Sequence, residues 1–303
     1  MLNIIRAYKQ YPYRIPARVK FFNFFRYFVR VPWFEEWIAQ RIICGSDFWK
    51  RAVPPIYFYR AGTFRKAVRN GIVLELDLSN LVDHAIFFGV PKQFGWEKLI
   101  SLAKPNDVVF DIGANIGFLT LNFARICKHG IVYAFEPGRK NFERLRKNIE
   151  SNNFRNIKTY PVALGERKET KQLYEVYSFN TGANRILNAF TGTSVSEAVS
   201  VDTLDDVVAT LGLHRLDILK IDVEGYELFV LRGAQKTIKQ FKPILFVELA
   251  YENLRHHNLS SSDVIHIIQE MNYTVIDVRT GIQIDLAAHK YHTDILCFPN
   301  QTI

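Results

Sequence analysis

The stretch Asp-Val-Val-Phe-Asp-Ile-Gly-Ala-Asn-Ile-Gly at residues 107–117 decides the fold. A short run of β-branched and aromatic residues ends in the acidic Asp111, a tight Gly-x-Asn-x-Gly turn follows, and helical character continues to about Ile126. Gly113 permits a positive φ and a close backbone approach, and Gly117 lets the helix pack on the strand. A strand, a glycine turn and a helix N-terminus in this order indicate a nucleotide-type ligand site in a doubly wound α/β sheet.

The residues around this turn distinguish between two kinds of ligand. The dinucleotide fingerprint G-x-G-x-x-G fails, because Asn115 and Phe118 stand where its second and third glycines would be. Asp111 would repel a pyrophosphate but could pair with the amino group of a methionine moiety. Glu136, at the end of the next strand, can accept hydrogen bonds from both ribose hydroxyls. We therefore predict S-adenosyl-L-methionine as the cofactor. The predicted cofactor-binding residues of the two turns are Asp111, Gly113, Ala114, Asn115, Gly117, Glu136 and Pro137.

Strands and helices alternate from residue 108 onward, which is typical of right-handed βαβ units in a mostly parallel sheet. Seven strands are predicted near residues 108–112, 131–135, 157–162, 217–221, 244–249, 273–278 and 292–298. Helices are predicted near 116–127, 139–152, 203–211, 225–239 and 260–271. We expect a doubly wound, Rossmann-like α/β fold. The interval 165–201 is an exception, with one or two short strands and a long loop.

The chain before residue 96 has a different pattern. Residues 1–60 have helical character, and prolines at 12, 16, 32, 54 and 55 break it. Asn70-Gly71 predicts a hairpin between strands 64–68 and 72–77. A third strand is predicted at 85–90 and a helix at 94–103. We thus divide the chain into a basic, aromatic, helical extension at 1–62 and a domain at 63–303, which comprises a hairpin lead-in (63–95) and the Rossmann-like core (96–303).

A second group of acidic residues follows two later strands. Residues 217–225 read Asp-Ile-Leu-Lys-Ile-Asp-Val-Glu-Gly, so Asp222 and Glu224 come at the end of a strand, and Glu248 ends the next one. Residues i and i+2 share a face of a strand, and ligands of open α/β sheets bind outside the carboxyl ends of the strands. We predict Asp222, Glu224 and Glu248 as catalytic residues.

Several of these polar residues also have a purely structural interpretation. Glu224 could cap the helix after Gly225, and Lys220 is expected on the opposite side of its strand, paired with a helix carboxylate. One of His256 and His257 could act as a base near neutral pH, but a solvated loop position is the preferred interpretation. Three nearby carboxylates could bind a divalent cation. Since no H-x-x-H or metal-finger spacing supports this, we predict no metal.

The positive charge of the chain is concentrated at its N-terminus. The net charge is +9, whereas residues 1–70 alone hold 14 Lys/Arg, 3 Asp/Glu and 18 of the 42 aromatic residues. Three interpretations remain open. The aromatic residues could pack on the main domain, contact an anionic membrane surface through residues 1–60, or help to bind nucleic acid or another polyanion. The nearly neutral remainder of the chain speaks against nucleic acid.

The composition of the chain limits the cellular locations that are expected for it. Hydrophobic residues make up 48% of the 303 residues, which suits a globular chain with a sizeable core. The three cysteines lie far apart and form no C-x-x-C pair, which argues against a disulfide framework or a zinc site. Basic residues interrupt any secretory h-region, and no apolar run reaches the roughly 18 residues of a spanning helix. We expect a cytoplasmic protein, with a peripheral membrane location as the variant that the N-terminus allows.

The two chemical clusters together resemble the FkbM family of S-adenosylmethionine-dependent methyltransferases, over about residues 95–280. Seven stretches match in order, namely Phe-Asp-Ile-Gly-Ala-Asn-Ile-Gly (110–117), Ala-Phe-Glu-Pro (134–137), Val-Ala-Leu-Gly (162–165), Leu-Asp-Asp (204–206), Leu-Lys-Ile-Asp-Val-Glu-Gly-Tyr-Glu (219–227), Leu-Arg-Gly-Ala (231–234) and Val-Glu-Leu (247–249). The resemblance implies a class I methyltransferase fold. It also implies that Ala163 and Leu164 flank the adenine and that Asp222 and Glu224 face the acceptor.

The resemblance further implies O-methylation of a sugar, a glycan, a lipid-linked molecule or another small metabolite. A positioned carboxylate would remove the proton of the acceptor hydroxyl. Two other functions stay open at this point, a nucleic-acid methyltransferase that uses the basic N-terminus and a non-catalytic membrane-surface adaptor that keeps the fold.

Overall fold

A computed structural model describes residues 17–89, 95–177, 179–187, 196–284 and 291–300. The first 16 residues of the predicted extension and residues 188–195 of the predicted loop lie outside this part of the chain. Two compact units are present. One unit contains the described residues up to 89 together with 179–180, and the other contains the rest. The hairpin belongs to the first unit, and the predicted division at residue 62 stays a prediction.

The first unit combines helices, short 3₁₀ turns and a hairpin. Its elements among the described residues are α1 (Ala17–Phe28), α2 (Pro32–Ile43), the turns Asp47–Ala52 and Ile56–Phe58, β1 (Phe64–Arg69), β2 (Ile72–Asp77) and α3 (Leu81–Phe87). Pro32 is the first residue of α2, where its fixed φ and missing N–H are tolerated. The predicted hairpin is confirmed. Asn70 and Gly71 both have positive φ, as a tight two-residue turn requires.

The strand predicted at 85–90 is wrong, because Ala85, Ile86 and Phe87 belong to α3. The side chain of Asn80 accepts hydrogen bonds from the backbone N–H groups of Val82 and Asp83, which caps the helix start. The apolar run is therefore part of the buried side of a short helix. A local cap outweighs the strand preference of these residues.

The second unit is a doubly wound α/β domain. Its elements are α4 (Trp96–Leu102), β3 (Val108–Ile112), α5 (Phe118–Ile126), β4 (Ile131–Phe135), α6 (Arg139–Glu150), β5 (Ile157–Tyr160), β6 (Ala163–Leu164), β7 (Glu169–Tyr174), β8 (Arg185–Ile186), β9 (Ser196–Asp202), α7 (Leu204–Leu211), β10 (Ile218–Ile221), α8 (Glu227–Arg232), α9 (Gln235–Phe241), β11 (Ile244–Ala250), α10 (Tyr251–Leu254), α11 (Ser261–Glu270), β12 (Tyr273–Asp277) and β13 (His292–Pro299). The long helix predicted at 225–239 is two helices, α8 and α9, which Gly233 separates.

The central sheet has seven strands in the order β12-β13-β11-β10-β3-β4-β5. The five strands from β11 to β5 are parallel, and β13 runs antiparallel to both of its neighbours. The predicted fold class is confirmed, including the number of strands. Buried aliphatic and aromatic side chains of both sheet faces form the core, for example Phe110, Leu219 and Phe246, each with no exposed surface.

The interval 165–201 is more ordered than predicted. With β6 it forms a second, four-stranded sheet in the order β6-β9-β7-β8, in which β7 and β9 are paired from Glu169–Val201 to Tyr174–Ser196. This stretch is rich in Thr, Ser and Asn, so its hydrophobic alternation is weak. Pairing between distant segments, which no local pattern reveals, holds it in place.

The register of the central sheet brings the predicted site residues to one edge. Ile221 lies opposite both Ile112 and Val247, and Ile112 lies opposite Phe135. The next residue along each of these four strands therefore lies at the same height along the sheet. These following residues, Gly113, Glu136, Asp222 and Glu248, lie at this carboxyl edge, as predicted from the general rule for open α/β sheets. The prediction that Glu248 ends its strand is wrong, because pairing with β13 extends β11 to Ala250.

Candidate active site

The glycine turn after β3 packs directly against the loop after β10. Gly113 has φ +81°, and a Cβ atom at this position would lie 1.9 Å from the carbonyl oxygen of Asp222. The N–H groups of Gly113 and Ala114 both donate to the carbonyl oxygen of Phe135, at 3.0 and 2.9 Å. The predicted cofactor turn and the predicted catalytic loop thus touch through backbone atoms.

We expect Gly113→Ala to destabilise the protein by about 3 kcal/mol or more, because the new methyl group meets a backbone oxygen and the φ is unfavourable. Gly212→Ala is the matched control. Gly212 also has a positive φ, of +60°, but a Cβ atom there would meet nothing within 4 Å among the described residues beyond its chain neighbours. The control should lose only about 1 to 2 kcal/mol. Urea unfolding of both variants measures the difference, and equal losses would contradict the close approach at Gly113.

Glu136 connects the turn after β3 to the turn after β4 through hydrogen bonds. Its Oε2 accepts a hydrogen bond from the N–H of Asn115 at 2.8 Å, and its Oε1 accepts one from Gly138 at 3.0 Å. The side chain is only 5% exposed, and burial raises its pKa to about 7 although the backbone donors lower it. Asn141 also donates a hydrogen bond to this carboxylate, and since its two oxygens together have about four lone pairs, a further donor can still be accepted. A pair of ribose hydroxyls would supply such donors.

Asp111 and Lys220 form a buried ion pair behind the turn. The Nζ of Lys220 lies 3.1 Å from Asp111 Oδ1 and 3.6 Å from Asp222 Oδ2, and it donates to the carbonyl oxygens of Ile112 and Gly113. Burial lowers the pKa of Lys220, but the two aspartates outweigh it and the net shift is upward. The predicted position of Lys220 is wrong. Lys220 lies on β10 and Asp222 directly follows that strand, two residues on, so both side chains point to the same face.

The predicted catalytic carboxylates converge. Oxygen atoms of Asp222, Glu224 and Glu248 all lie within 4.8 Å of one another. Such a group can accept hydrogen bonds from a polar acceptor, and its oxygens could also hold a divalent cation. Glu248 Oε2 is buried, and within the described residues no hydrogen-bond donor reaches it. An acceptor oxygen in this state is available for a donor that enters the site.

Glu224 is held by groups from two other elements. Asn253 donates to its Oε2 at 2.6 Å, and Arg185 Nη2 lies 3.7 Å away. The alternative role of Glu224 as a helix cap is wrong. Glu227 instead accepts the N–H groups of Gly225 and Val223 at the start of α8, at 2.9 and 3.2 Å. Glu224, with φ +57°, is left pointing toward the other carboxylates.

Like charges and burial shift the proton affinities of this cluster. Burial, followed by the charge of Asp222, raises the pKa of Glu224 to about 8 and that of Glu248 well above its ordinary value. The same two causes raise the pKa of Asp294 to about 8. Asp294 lies directly opposite Glu248 in the β11–β13 pair. Groups with a pKa near the working pH are suited to proton transfer.

The remaining predicted cofactor-binding residues lie close to the carboxyl edge of the sheet, and most of them are buried. Ala114 and Gly117 are buried within the turn, while Pro137 is partly exposed beside Glu136. Ala163 and Leu164 form the short strand β6, and Leu164 is only 1% exposed, as part of the main core. Their predicted contact with an adenine therefore stays a prediction.

His256 is exposed, as expected, whereas the prediction for His257 is wrong. The His257 ring packs against Tyr226 and Phe229, with centroids 5.7 and 5.3 Å apart. Sequence reasoning also did not identify Arg185, Asn253 and Asp294 as neighbours of the cluster. Only Asp294 had a usable signal, since it is an acidic residue at the start of the last strand. That signal becomes informative only when β13 is known to run antiparallel.

The fold and this edge define the protein as a class I, Rossmann-like methyltransferase by architecture. The chain matches the family described as the methyltransferase FkbM domain over residues 111–275, more than half of its length. It belongs to this family. The predicted resemblance is confirmed.

Individual relatives have low sequence identity to this chain. The 31-O-demethyl-FK506 methyltransferase FkbM of Streptomyces tacrolimicus is 32% identical over an alignment of 159 residues, which covers 44% of this chain and 61% of that protein. The hexuronic acid methyltransferase AglP of Haloferax volcanii is 27% identical over 175 residues, 57% of this chain and 65% of that protein. The crystal structure of methyltransferase FkbM from Methylobacillus flagellatus superposes with a TM-score of 0.41 at 20% identity, covering 64% of this chain and 44% of that one. The chain thus spans about three fifths of these two curated relatives.

Proposed function

We propose that this protein is an S-adenosylmethionine-dependent methyltransferase that methylates a hydroxyl oxygen. The acceptor class is a sugar, a glycan, a lipid-linked molecule or another small metabolite. The contact between Gly113 and Asp222 carries the proposal, because it puts a proton-accepting carboxylate cluster beside the turn that would hold the methyl donor. The activities that the two relatives are named for, at a 31-O position and on a hexuronic acid, support the acceptor class.

The residues of the turn fit the methionine end of the cofactor. Asn115 Oδ1 is buried, and no donor reaches it within the described residues, so it can accept a hydrogen bond from an ammonium group. Asn115 has φ +50°, and its backbone N–H is fixed by Glu136. We assign the ammonium group to Asn115 and the ribose to Glu136. Asp111 has no exposed surface, and its carboxylate faces Lys220 and the hydroxyl of Thr120, so it supplies negative charge from behind the turn. Asp111 also acts through Lys220, which binds the carbonyl oxygen of Gly113.

The chemistry assigns the proton to the acidic cluster. When bound, S-adenosylmethionine supplies an activated methyl group on a sulfonium. The methyl group would pass to the acceptor oxygen while the bonding electron pair stays with the departing thioether sulfur, and Glu224 or Asp222 would take the hydroxyl proton. Glu248 orients the acceptor. A carboxylate acceptor would need no base, whereas a hydroxyl acceptor makes use of side chains whose pKa lies near the working pH, so the cluster favours a hydroxyl.

Calorimetric titration with S-adenosylmethionine, its demethylated product and NAD tests the cofactor. The first two should bind and NAD should not. Glu136→Gln should weaken binding by about 10- to 100-fold, the loss of one or two charge-assisted hydrogen bonds. Asp111→Asn should also weaken it, because Lys220 loses the charge that holds it at the cofactor turn. Glu252→Gln, which removes a 69% exposed carboxylate of the same unit, is the control and should bind normally. A folded protein that binds none of the three ligands would refute the proposal.

A further inference from the structure

The aromatic side of helix α1, in the first unit, is exposed to solvent. Phe21, Phe22, Phe24, Phe25 and Phe28 are each between 43% and 64% exposed. In an ordinary surface helix the apolar side faces the core and the polar side faces water. An exposed run of five phenylalanines on a 12-residue helix is a far larger apolar surface than scattered single side chains, and such patches mark interaction sites.

Polar contacts hold the helix in this orientation. Asn23 has no exposed surface and donates to the hydroxyl of Tyr57 at 2.7 Å. Arg26 donates to the carbonyl oxygen of Arg51 at 2.7 Å and to Asn23 Oδ1 at 3.0 Å. Turning the phenylalanines inward would break these bonds and expose Asn23 in exchange. The polar side of α1 is therefore the side that packs on its own unit. The aromatic side is available to contact another molecule or a membrane.

The exposed rings form connected groups. Phe21 contacts Phe25 and Phe24 contacts Phe28, with centroids 5.4 and 5.3 Å apart. A second aromatic group in this unit runs from Trp33 through Phe34, Trp37 and Trp49 to Phe48. Its end members Trp33 and Phe48 are 71% and 68% exposed. Phenylalanine and tryptophan together at an exposed position are typical of the boundary between lipid headgroups and acyl chains.

We propose that α1, together with the exposed rings of Trp33 and Phe48, binds the surface of an anionic membrane. Residues 1–70 carry 14 Lys/Arg against 3 Asp/Glu, so the aromatic surface lies in a strongly basic part of the chain, which complements anionic headgroups. The occupant is not a second copy, because that would bring together two equally basic segments. The α1 rings meet edge to face, at interplanar angles of 74° to 84° for Phe21, Phe24 and Phe25. They offer no flat platform on which nucleic-acid bases could stack.

The contact is interfacial. No described helix combines the length and the apolar character that crossing a bilayer requires. A helix of 12 residues is about 18 Å long and can lie along the headgroup region with its phenylalanines in the acyl boundary. The sequence predicted a membrane contact somewhere in residues 1–60. The proposal assigns it to the phenylalanines of α1, Trp33 and Phe48, which lie in the described part of that range. It does not depend on the proposed methyl transfer.

Flotation with vesicles tests this surface on the full chain. The wild-type protein should float with vesicles of phosphatidylcholine and phosphatidylglycerol in equal amounts, bind vesicles of phosphatidylcholine alone more weakly, and be released by high salt. The double variant Phe21→Ser/Phe25→Ser should lose about tenfold or more of its binding to the anionic vesicles. Tyr177→Ser/Ile282→Ser removes two similarly exposed apolar side chains, 45% and 68%, and should float like wild type.

Three results would overturn the proposal. The wild-type protein does not float with anionic vesicles, the Phe21/Phe25 variant floats as well as wild type, or these two phenylalanines are needed for self-association or nucleic-acid binding and not for flotation. Urea unfolding, followed by circular dichroism, should be equal in the wild-type protein and both double variants, and cofactor binding by calorimetry is measured in parallel. This comparison shows that each variant is folded, and it separates a failure of the membrane surface from a failure of the proposed activity.

Discussion

Glu224→Gln and Asp222→Asn should lower the turnover number of methyl transfer by about 100- to 10,000-fold, the usual contribution of a positioned general base. The affinity for S-adenosylmethionine should change little, because the proposed cofactor contacts lie on the turns after β3 and β4. Steady-state kinetics with a hydroxyl acceptor, combined with calorimetry, separates the two effects. The residue that acts as the base should show the larger loss.

The pH profile gives a second readout of the same experiment. Since burial and the charge of Asp222 raise the pKa of Glu224 to about 8, its carboxyl is mainly protonated at pH 7. The wild-type rate should therefore rise with pH through about 8, and the Glu224→Gln variant should lose this rise. Glu252→Gln again serves as the control, and a chelator added to the wild-type enzyme tests whether a cation assists. Full turnover of a folded Glu224→Gln or Asp222→Asn variant would exclude that residue as the base.

Lys220→Met should destabilise the fold by about 3 to 5 kcal/mol, the cost of leaving a buried charge without its partner. Lys220 and Asp111 are 2% and 1% exposed in their side chains, and Lys220 also binds two carbonyl oxygens of the cofactor turn. Its loss leaves Asp111 buried without a compensating positive charge among the described residues, with the hydroxyl of Thr120 as its side-chain donor. Denaturant unfolding measures the loss of stability, and calorimetry should show weaker cofactor binding in the protein that remains folded.

Lys168→Met is the matched control for this prediction. Lys168 also lies near two aspartates, Asp202 and Asp206, at 3.4 Å each, but its side chain is 61% exposed. Water screens an exposed pair, so the control should lose far less stability. The double variant Lys220→Met/Asp111→Asn should regain part of the loss because no buried charge remains. If Lys220→Met unfolds at the same denaturant concentration as Lys168→Met, the buried pair has no structural role.

The sequence allowed much of the sheet to be predicted, and the reasons are local. The strands 108–112 and 131–135 were predicted with the bounds that the structure shows, because a buried strand before a glycine turn is a strong pattern. The carboxyl-edge rule then brought Asp222, Glu224 and Glu248 to one place without any knowledge of distances. The error at 85–90 came from an apolar run that suits a strand and a short helix equally.

Other features depend on contacts between distant segments. Arg185 and Asn253 approach Glu224 from β8 and α10, which are far from it along the chain. No periodicity marks such a contact. The raised pKa of Glu224 and Asp294 likewise results from burial beside Asp222, and burial is a property of the assembled sheet edge.

The amino-acid sequence by itself determined the order of strands and helices, the glycine turn, the acidic ends of the strands and the basic, aromatic character of the N-terminus. These are properties of neighbouring residues, and they predict the fold class and the family. Only the tertiary structure decided which side of α1 faces outward, that Lys220 pairs with Asp111, and that the turn at Gly113 touches the loop at Asp222. The physical reason is that burial, hydrogen bonding and the effective strength of charges depend on what the folded chain places next to each group, and these neighbours come from residues far apart in the sequence.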